Sequence, residues 1–442
     1  MKRVYLLSLG CARNLVDSEV LLGLFKTKNF NIVQEAGSSD IAIVNTCAFI
    51  EDAKQESIDI ILQLANLKAE GKIKKLIVFG CLAQRYPDEL AKKIPEIDGI
   101  FGTSDFTEIP DRIEALFPLK KIKAVNQNPD FLYDHSYKRT LLTPSHYAYI
   151  KIQEGCSNKC SYCVIPGLKG PRRSRNIESV LEEIRILKDE NDIKEIILIG
   201  QDTTSFGMDR SETSSLASLL RKIVPIMASR WIRLLYTHPA RFTDELIDII
   251  AESENICPYV DLPLQHINDR ILNKMNRSTT EKDIERLLEK IRKRTNAAIR
   301  TSVIVGFPGE TDKEFAQLIK FLKNVKFERL GAFIYSPEET TPAEGFKDQI
   351  PIEIKKERFR AVMELQQRIS IEHNEKMLNK EIEVLVDECD SQDPEQFIAR
   401  SKIDAPEVDG LVYLKGKNIT PGDFAKARIV DTLEYDLVGE AL

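Results

Sequence analysis

The 442-residue chain carries 63 Lys plus Arg against 69 Asp plus Glu, a net charge of −6, with 43% hydrophobic and 30% charged residues. That balance fits a globular protein of about three domains, at roughly 150 residues each, and gives no general case for gripping nucleic acid. No run of about eighteen apolar residues occurs and the opening MKRVYLLSLGCARN is too short and wrongly flanked for a signal peptide, so a cytoplasmic location is expected, with the eight cysteines serving as metal ligands, reactive thiols or small buried groups rather than disulfides.

In chain order, VYLLSLG (4–10), DIAIVNT (40–46) and KLIVFG (75–80) read as buried strands. RNLVDSEVLLGLF and EDAKQESIDIILQLANL between them repeat apolar residues at helical spacing. This β-α-β-α-β order predicts a parallel α/β domain over 1–120. Asn126, Asn128, Pro129 and Pro144 break any pattern over 121–145, which reads as a linker. From His146 six strand patterns follow: HYAYIKI, EIILIG, RWIRLLY, YVDLPLQ, AIRTSVIVG and RLGAFIYS. Helical patterns separate them, SVLEEIRILKD and EFAQLIKFLKNV being the clearest. Six βα units, two short of a closed barrel, predict an open parallel βα barrel over 146–375, ended by a long helical stretch from Ile352. Over 376–442, EIEVLVDE, QFIARSK, GLVYLKG and FAKARIVDTLEYDLVG alternate with Gly, Pro and Asp and predict a small antiparallel β-barrel of the oligonucleotide-binding size class.

Cys156, Cys160 and Cys163 form a C-x3-C-x2-C spacing directly after AYIKI. That places them in the first βα loop, at the C-terminal mouth where barrel enzymes hold their chemistry. Thiolates suit iron–sulfur clusters and zinc. A structural zinc site is closed by four N or S ligands, yet no Cys or His follows within sixty residues, and the nearest histidine, His146, lies upstream. Three cysteines leave one iron of a [4Fe–4S] cluster open to a small molecule. Zinc completed by a distant residue, or three unrelated buried cysteines, are the alternatives. A second set, Cys11, Cys47 and Cys81, follows the first three strand patterns at intervals of 36 and 34 residues, one strand–helix unit each. Ligands bind beyond the C-terminal edge of such sheets, so neighbouring strands would gather these thiols into a second three-thiolate site; small buried cysteines at strand ends are the alternative. Cys257 and Cys389 have no such setting and read as structural.

A three-cysteine α/β domain, C-x3-C-x2-C on a βα barrel and a small terminal β-barrel resemble the methylthiotransferases, radical S-adenosylmethionine enzymes, over essentially the whole chain. LGCARNLVDSE, NTCAFI and GCLAQRY are similar to the family's N-terminal cluster motifs. GQDTTSFG, LPLQH, VGFPGET and YSPEETTPA match further on, although the family often shows Gly where Glu339 or Thr340 stands. The resemblance implies a radical S-adenosylmethionine barrel, a TRAM-like substrate-binding terminal domain and two [4Fe–4S] clusters. One cluster falls to Cys11, Cys47 and Cys81, the other to Cys156, Cys160 and Cys163 as the catalytic set. In that chemistry S-adenosylmethionine binds the open iron and is split by one electron. The 5′-deoxyadenosyl radical then takes hydrogen from an unactivated C–H bond. The other cluster holds or donates the sulfur, and a second S-adenosylmethionine supplies the methyl group. The resemblance further places Gln201 and Asp202 at the cofactor's amino group, Gln265 at its ribose, and Gly306 and Gly309 where backbone approaches its adenine; for each, ordinary loop chemistry is the alternative. Lys169, Arg172, Arg173 and Arg175 form a basic run suited to an acidic group on substrate or cofactor, or else a solvated surface.

The family divides between an adenosine in transfer RNA and an aspartate of the twelfth small-subunit ribosomal protein. Residues 377–442 hold fifteen Asp plus Glu against seven Lys plus Arg. A module for RNA phosphates should be basic; an acidic one suits a basic partner such as a ribosomal protein, unless its charge serves solubility alone. EGC, IPGLKGPRRSR and YDLVGEAL also resemble the ribosomal-protein branch, the RNA branch usually showing Arg where Glu154 stands. The expected function is conversion of a β-carbon C–H of that aspartate to C–S–CH3. The expected partners are the ribosomal protein, an electron donor and a sulfur carrier, with no membrane and transfer RNA disfavoured. Methylthiolation of transfer RNA and a non-catalytic, ribosome-associated iron–sulfur redox protein are the alternatives.

Overall fold

The computed structural model describes residues 1–117, 121–210 and 214–442. The boundary predicted at residue 120 lies outside the described residues. The first domain is a six-stranded, wholly parallel sheet of β1 (Arg3–Ser8), β2 (Asn31–Ile32), β3 (Ile41–Thr46), β4 (Lys75–Gly80), β5 (Gly99–Phe101) and β6 (Ile122–Ala124), in the order β2-β1-β3-β4-β5-β6. The three predicted strands β1, β3 and β4 are adjacent, in a register that pairs Ser8 with Asn45 and Thr46 with Gly80. Crossover helices α1 (Ala12–Thr27) and α2 (Glu51–Ala69) join them.

The predicted linker differs at its start. Ile122–Ala124 is the edge strand β6, paired with β5; three residues are too few for strand alternation to show in sequence. The chain beyond β6 is also pinned. Tyr133 Oη reaches Glu183 at 3.2 Å, and Arg139 pairs with both Glu19 of α1 and Glu183 of the barrel.

The barrel strands are β7 (Tyr147–Lys151), a short antiparallel pair β8 (Gln153–Glu154) and β9 (Arg173–Ser174), then β10 (Glu195–Ile199), β11 (Trp231–Leu234), β12 (Tyr259–Asp261), β13 (Ala298–Val305) and β14 (Arg329–Ile334). Strands β7, β10 and β11 form one parallel sheet and β12, β13 and β14 another, linked by a single bridge between Ile232 and Ile256. The barrel is open, with β7 and β14 ending the two sheets.

The terminal domain is a closed barrel of β15 (Glu381–Cys389), β16 (Gln396–Ser401), β17 (Val412–Lys415), β18 (Phe424–Thr432) and β19 (Leu437–Ala441). Its pairs are antiparallel except β17 with β19, which run parallel. FAKARIVDTLEYDLVG, read as one strand, is two, because Leu433 N bonds Asp436 O and turns the chain back.

This small barrel caps the end of the large one where the strands begin. Arg400 pairs with Glu195 at 2.8 Å, Tyr259 Oη donates to Asp409 at 2.6 Å, Arg329 pairs with Asp404, and the Trp231 and Phe424 rings lie 5.1 Å apart. One apolar cluster, from Val4 through Tyr149, Ile197 and Trp231 to Leu385, runs through all three domains. Among the described residues no helix is long and apolar enough to cross a membrane.

Candidate active site

Cys11, Cys47 and Cys81 each stand just past the C-terminal end of β1, β3 or β4, so adjacency of those strands brings their loops together. Gly10 permits a close approach. Its φ is +88°, and a Cβ there would lie 2.8 Å from Cys47 Cβ. Asn14 stitches the three loops: Nδ2 donates to Leu9 O and Thr46 O, both at 3.1 Å, and Oδ1 accepts from Cys81 Sγ at 3.9 Å. Sequence reasoning missed Asn14 and its neighbour Arg13, whose only signal was their place in the GCARN stretch.

The second triad lies in the loop between β8 and β9. Cys156 N bonds Gly170 O at 3.1 Å, and Gly155, at φ +75°, passes so close that a Cβ would sit 2.2 Å from Pro171 O. Cys163 N donates to Cys160 O at 3.2 Å, and Arg277 Nη1 approaches Cys160 Sγ at 3.8 Å. Cys156, Cys160 and Cys163 wall a cavity of about 360 Å3 together with Gln201, Asp202 and Gln265. The first domain contributes Arg13, Phe49 and Ile50, and the terminal barrel Val408. Exposed Phe49, Phe333 and Val408 give its opening an apolar edge drawn from three domains.

Gln201 donates to Glu154, leaving its Oε1 buried without a partner. Asp202 accepts from Asn158 at 2.9 Å and from Arg241. Burial works against its charge, but Arg241 together with the hydrogen bonds from Thr204 and Asn158 outweighs this and holds the carboxyl below the usual range. Burial pushes His238, also on the wall, down to about 3, so the neutral ring accepts from Ala240 N at Nδ1 and keeps its proton on Nε2. Gln265 adopts φ 73°, with its amide held by Ser302 O at 2.8 Å.

Gly306 and Gly309 are not brought to this wall. Gly306 N bonds the Glu310 carboxylate at 2.7 Å and Gly309 N bonds Asp348 O at 2.7 Å, so both shape the turn after β13. The basic run also differs from both of its readings. Lys169 and Arg175 are buried in ion pairs with Asp17 and Glu183, Arg172 lies 3.5 Å from Asp209, and Arg173 bonds backbone carbonyls. Cys257 is buried, as a structural residue should be, whereas Cys389 is exposed at the end of β15.

Glu338 of YSPEETTPA is buried on the cavity wall, where it binds Arg85 at 2.7 Å and Lys54 at 3.2 Å and fastens the first domain to the barrel's last loop. Thr340 beside it has φ 72°, a left-handed conformation costly for a β-branched residue and free for glycine. Thr340→Gly is expected to stabilise the protein by about 1 kcal/mol, read as a raised midpoint of thermal unfolding.

The thiols fit iron–sulfur clusters by chemistry. All six are free, and burial pushes Cys81 and Cys163 up to about 12, so a metal must supply the deprotonation that ligation requires. At Cys11 burial also opposes ionisation, but Arg13 outweighs it and lowers the thiol. Among the described residues no three His, Cys, Asp or Glu side chains close around a single metal ion; a [4Fe–4S] cube takes one thiolate per iron at separate corners and needs no such closure. The cavity fits a nucleoside-sized cofactor in volume, and the orphaned Gln201 Oε1 and Arg277 Nε offer it an acceptor and a donor.

Comparison with known proteins agrees with this layout. A model described as "Uncharacterized protein family UPF0004" matches residues 3–102, the Radical SAM superfamily matches 150–322, and the TRAM domain matches 380–442. The protein named ribosomal protein uS12 methylthiotransferase RimO in Desulforamulus reducens is 47% identical over 442 residues, covering 100% of this chain and 99% of the relative. Its namesake in Clostridioides difficile is 44% identical over 444 residues, covering 100% and 99%. Among solved structures, the radical S-adenosylmethionine methyltransferase TsrM from Kitasatospora setae, with tryptophan substrate and a cofactor analogue bound, shares the fold at TM-score 0.55. Its sequence identity is 16%, over 75% of this chain and 73% of that one.

Proposed function

The chain belongs to the ribosomal protein uS12 methylthiotransferase (RimO) family, and on that premise we propose that it converts a β-carbon C–H of an aspartate in uS12 to C–S–CH3. The observation that carries this reading is the shared cavity. The loops bearing Cys11 and Cys47 reach it through Arg13, Phe49 and Ile50, and the triad of Cys156, Cys160 and Cys163 forms its wall. Cys11, Cys47 and Cys81 would hold one [4Fe–4S] cluster and Cys156, Cys160 and Cys163 the other. When bound, the barrel cluster with S-adenosylmethionine supplies one-electron cleavage of a C–H bond, and the first domain's cluster supplies sulfur chemistry. Gln201, Asp202 and Gln265 would orient S-adenosylmethionine, with the carboxylate of Asp202 as the anionic partner for its amino group. Gly306 and Gly309 would act at one remove, through the turn after β13. Apolar Phe49, Phe333 and Val408 would close the cavity over a substrate loop and exclude water. Residues 146–375 then act as the catalytic barrel and 376–442 as the module that seals its lower end and meets the substrate. A ribosomal substrate carries a cytoplasmic location with it.

The test is anaerobic reconstitution, reduction with dithionite, and incubation with S-adenosylmethionine and either uS12 or transfer RNA, each then weighed by mass spectrometry. The mass gain of one SCH3-for-H exchange is expected on uS12; a gain on transfer RNA alone would reverse the assignment. Cys47→Ala in the same assay is expected to keep production of 5′-deoxyadenosine and lose sulfur insertion. Normal sulfur insertion by that variant would remove the first triad from the mechanism.

A further inference from the structure

Three arginines line the cavity: Arg13, Arg277 and Arg300. Two are committed. Arg300 pairs with Asp261 at 2.9 Å and Asp409 at 3.4 Å, and Arg277 gives Nη2 to Pro263 O at 2.7 Å and Nη1 to the Cys160 loop. Arg13 differs. It follows Cys11 by two residues, its Nε donates to Cys11 Sγ at 3.4 Å, its Nη1 donates to Gly200 O at 3.1 Å, and its guanidinium lies 4.5 Å from the Tyr236 ring centre. Among the described residues it has no carboxylate partner, and its Nη2 makes no hydrogen bond. A half-buried guanidinium on the cavity wall with a free Nη2 is an incomplete anion site, and its planar fork suits a carboxylate. It also stands where the first domain's cysteine loop meets the barrel, since Gly200 follows β10 and Cys11 lies in the loop beyond β1.

We propose that Arg13 binds the side-chain carboxylate of the substrate aspartate and thereby selects aspartate over an uncharged residue. This rests on the methylthiotransferase reading above. In aspartate the carboxylate is bonded directly to the β-carbon. Anchoring it on Arg13 holds that carbon between the barrel triad, where hydrogen is removed, and the Cys11 loop, from which sulfur comes. A nucleobase offers no such carboxylate, so this contact would not anchor one.

The experiment is a binding cycle without turnover. Unreduced, cluster-loaded protein is titrated in the presence of S-adenosylmethionine with uS12, and with uS12 whose modified aspartate is changed to asparagine. Iron and acid-labile sulfide are measured for each enzyme variant. The wild-type protein is expected to bind the aspartate form about 10- to 100-fold more tightly than the asparagine form, the range of one charge-assisted contact. R13Q is expected to bind both forms equally and weakly, and R13K to recover part of the preference. R13K covers the case in which R13Q loses the cluster on Cys11. If R13Q and R13K keep the full wild-type preference, or the wild type shows none, Arg13 is not the carboxylate site. An inorganic anion on Arg13 would leave the preference intact in every variant and so also overturns the proposal. Modification of uS12 by the wild type is read separately by mass, so failure of the functional reading and failure of the Arg13 assignment give different results.

Discussion

Cys160→Ala is expected to abolish cleavage of S-adenosylmethionine while the first domain keeps its own iron. Cys160 is the middle ligand of a loop fixed at both ends: Cys156 N is bonded to Gly170 O, and Ser161 is bonded to Met275 O and Lys274 O at 3.0 and 2.7 Å. The backbone is therefore held without the thiol, and removing one sulfur subtracts a ligand rather than a fold element. Two thiolates cannot hold three irons of a cube. The barrel cluster is lost outright, and iron and sulfide per chain fall by about half. The first triad is stitched independently by Asn14 and Gly10 and should load as before. Iron analysis, with chromatographic assay of 5′-deoxyadenosine and methionine after dithionite reduction, checks both halves of this expectation. Cleavage at the wild-type rate would mean that another residue completes the barrel cluster, and the assignment of the loop would fall.

Strand adjacency and the placement of the six cysteines were legible because they depend on local, periodic signals. Apolar runs such as IAIVNT and KLIVFG are buried along their whole length, and a βα unit repeats at a nearly fixed length, so cysteines 36 and 34 residues apart land at one sheet edge. The electrostatic interior was not legible, because its partners are far apart in sequence. Arg139 meets Glu19, Arg400 meets Glu195, and Lys169 meets Asp17. A run of basic residues looks the same in sequence whether it faces solvent or buried carboxylates. The acidic excess of the terminal domain shows the same limit. Asp387, Asp404 and Asp409 face His146, Arg329 and Arg300 of the large barrel, so part of that charge holds the domains together and is not offered to a partner. The Cys11 loop adds a finer case. Nothing in periodicity distinguishes Asn14 or Arg13 from other polar residues at the start of an amphipathic helix; only the convergence of three loops gives them their tasks.

Glu154 lies behind the cavity wall, bonded to Gln201, and its role predicts the second large effect. Its carboxylate lies in a buried quartet with Lys151 at 2.6 Å and Lys169 at 3.9 Å, while Asp17 of α1 binds both lysines, Lys169 at 3.1 Å. Two cations and two anions balance across the junction of the first domain and the barrel, directly behind Gln201 on the cavity wall. Burial alone would push the Glu154 carboxyl up; Lys151 and Lys169 outweigh it and hold the group well below the usual carboxylate range. Because the folded value is depressed, the stabilisation is fully present at neutral pH and is lost only as pH falls below that of ordinary carboxylates. Asp17→Asn leaves two buried lysines with one carboxylate and is expected to cost about 3–5 kcal/mol, as removal of one partner from a buried ion pair does. Glu154→Arg should cost more, since it sets three cations against Asp17 alone. The domain junction should open before either domain melts, so the measurements are the first thermal transition and the rate of proteolysis within 125–145. Lys169→Met added to Asp17→Asn restores the balance of charge and should recover most of the loss. If Asp17→Asn costs under about 1 kcal/mol, the range of solvated pairs, water reaches the quartet and the junction is held by its apolar contacts alone.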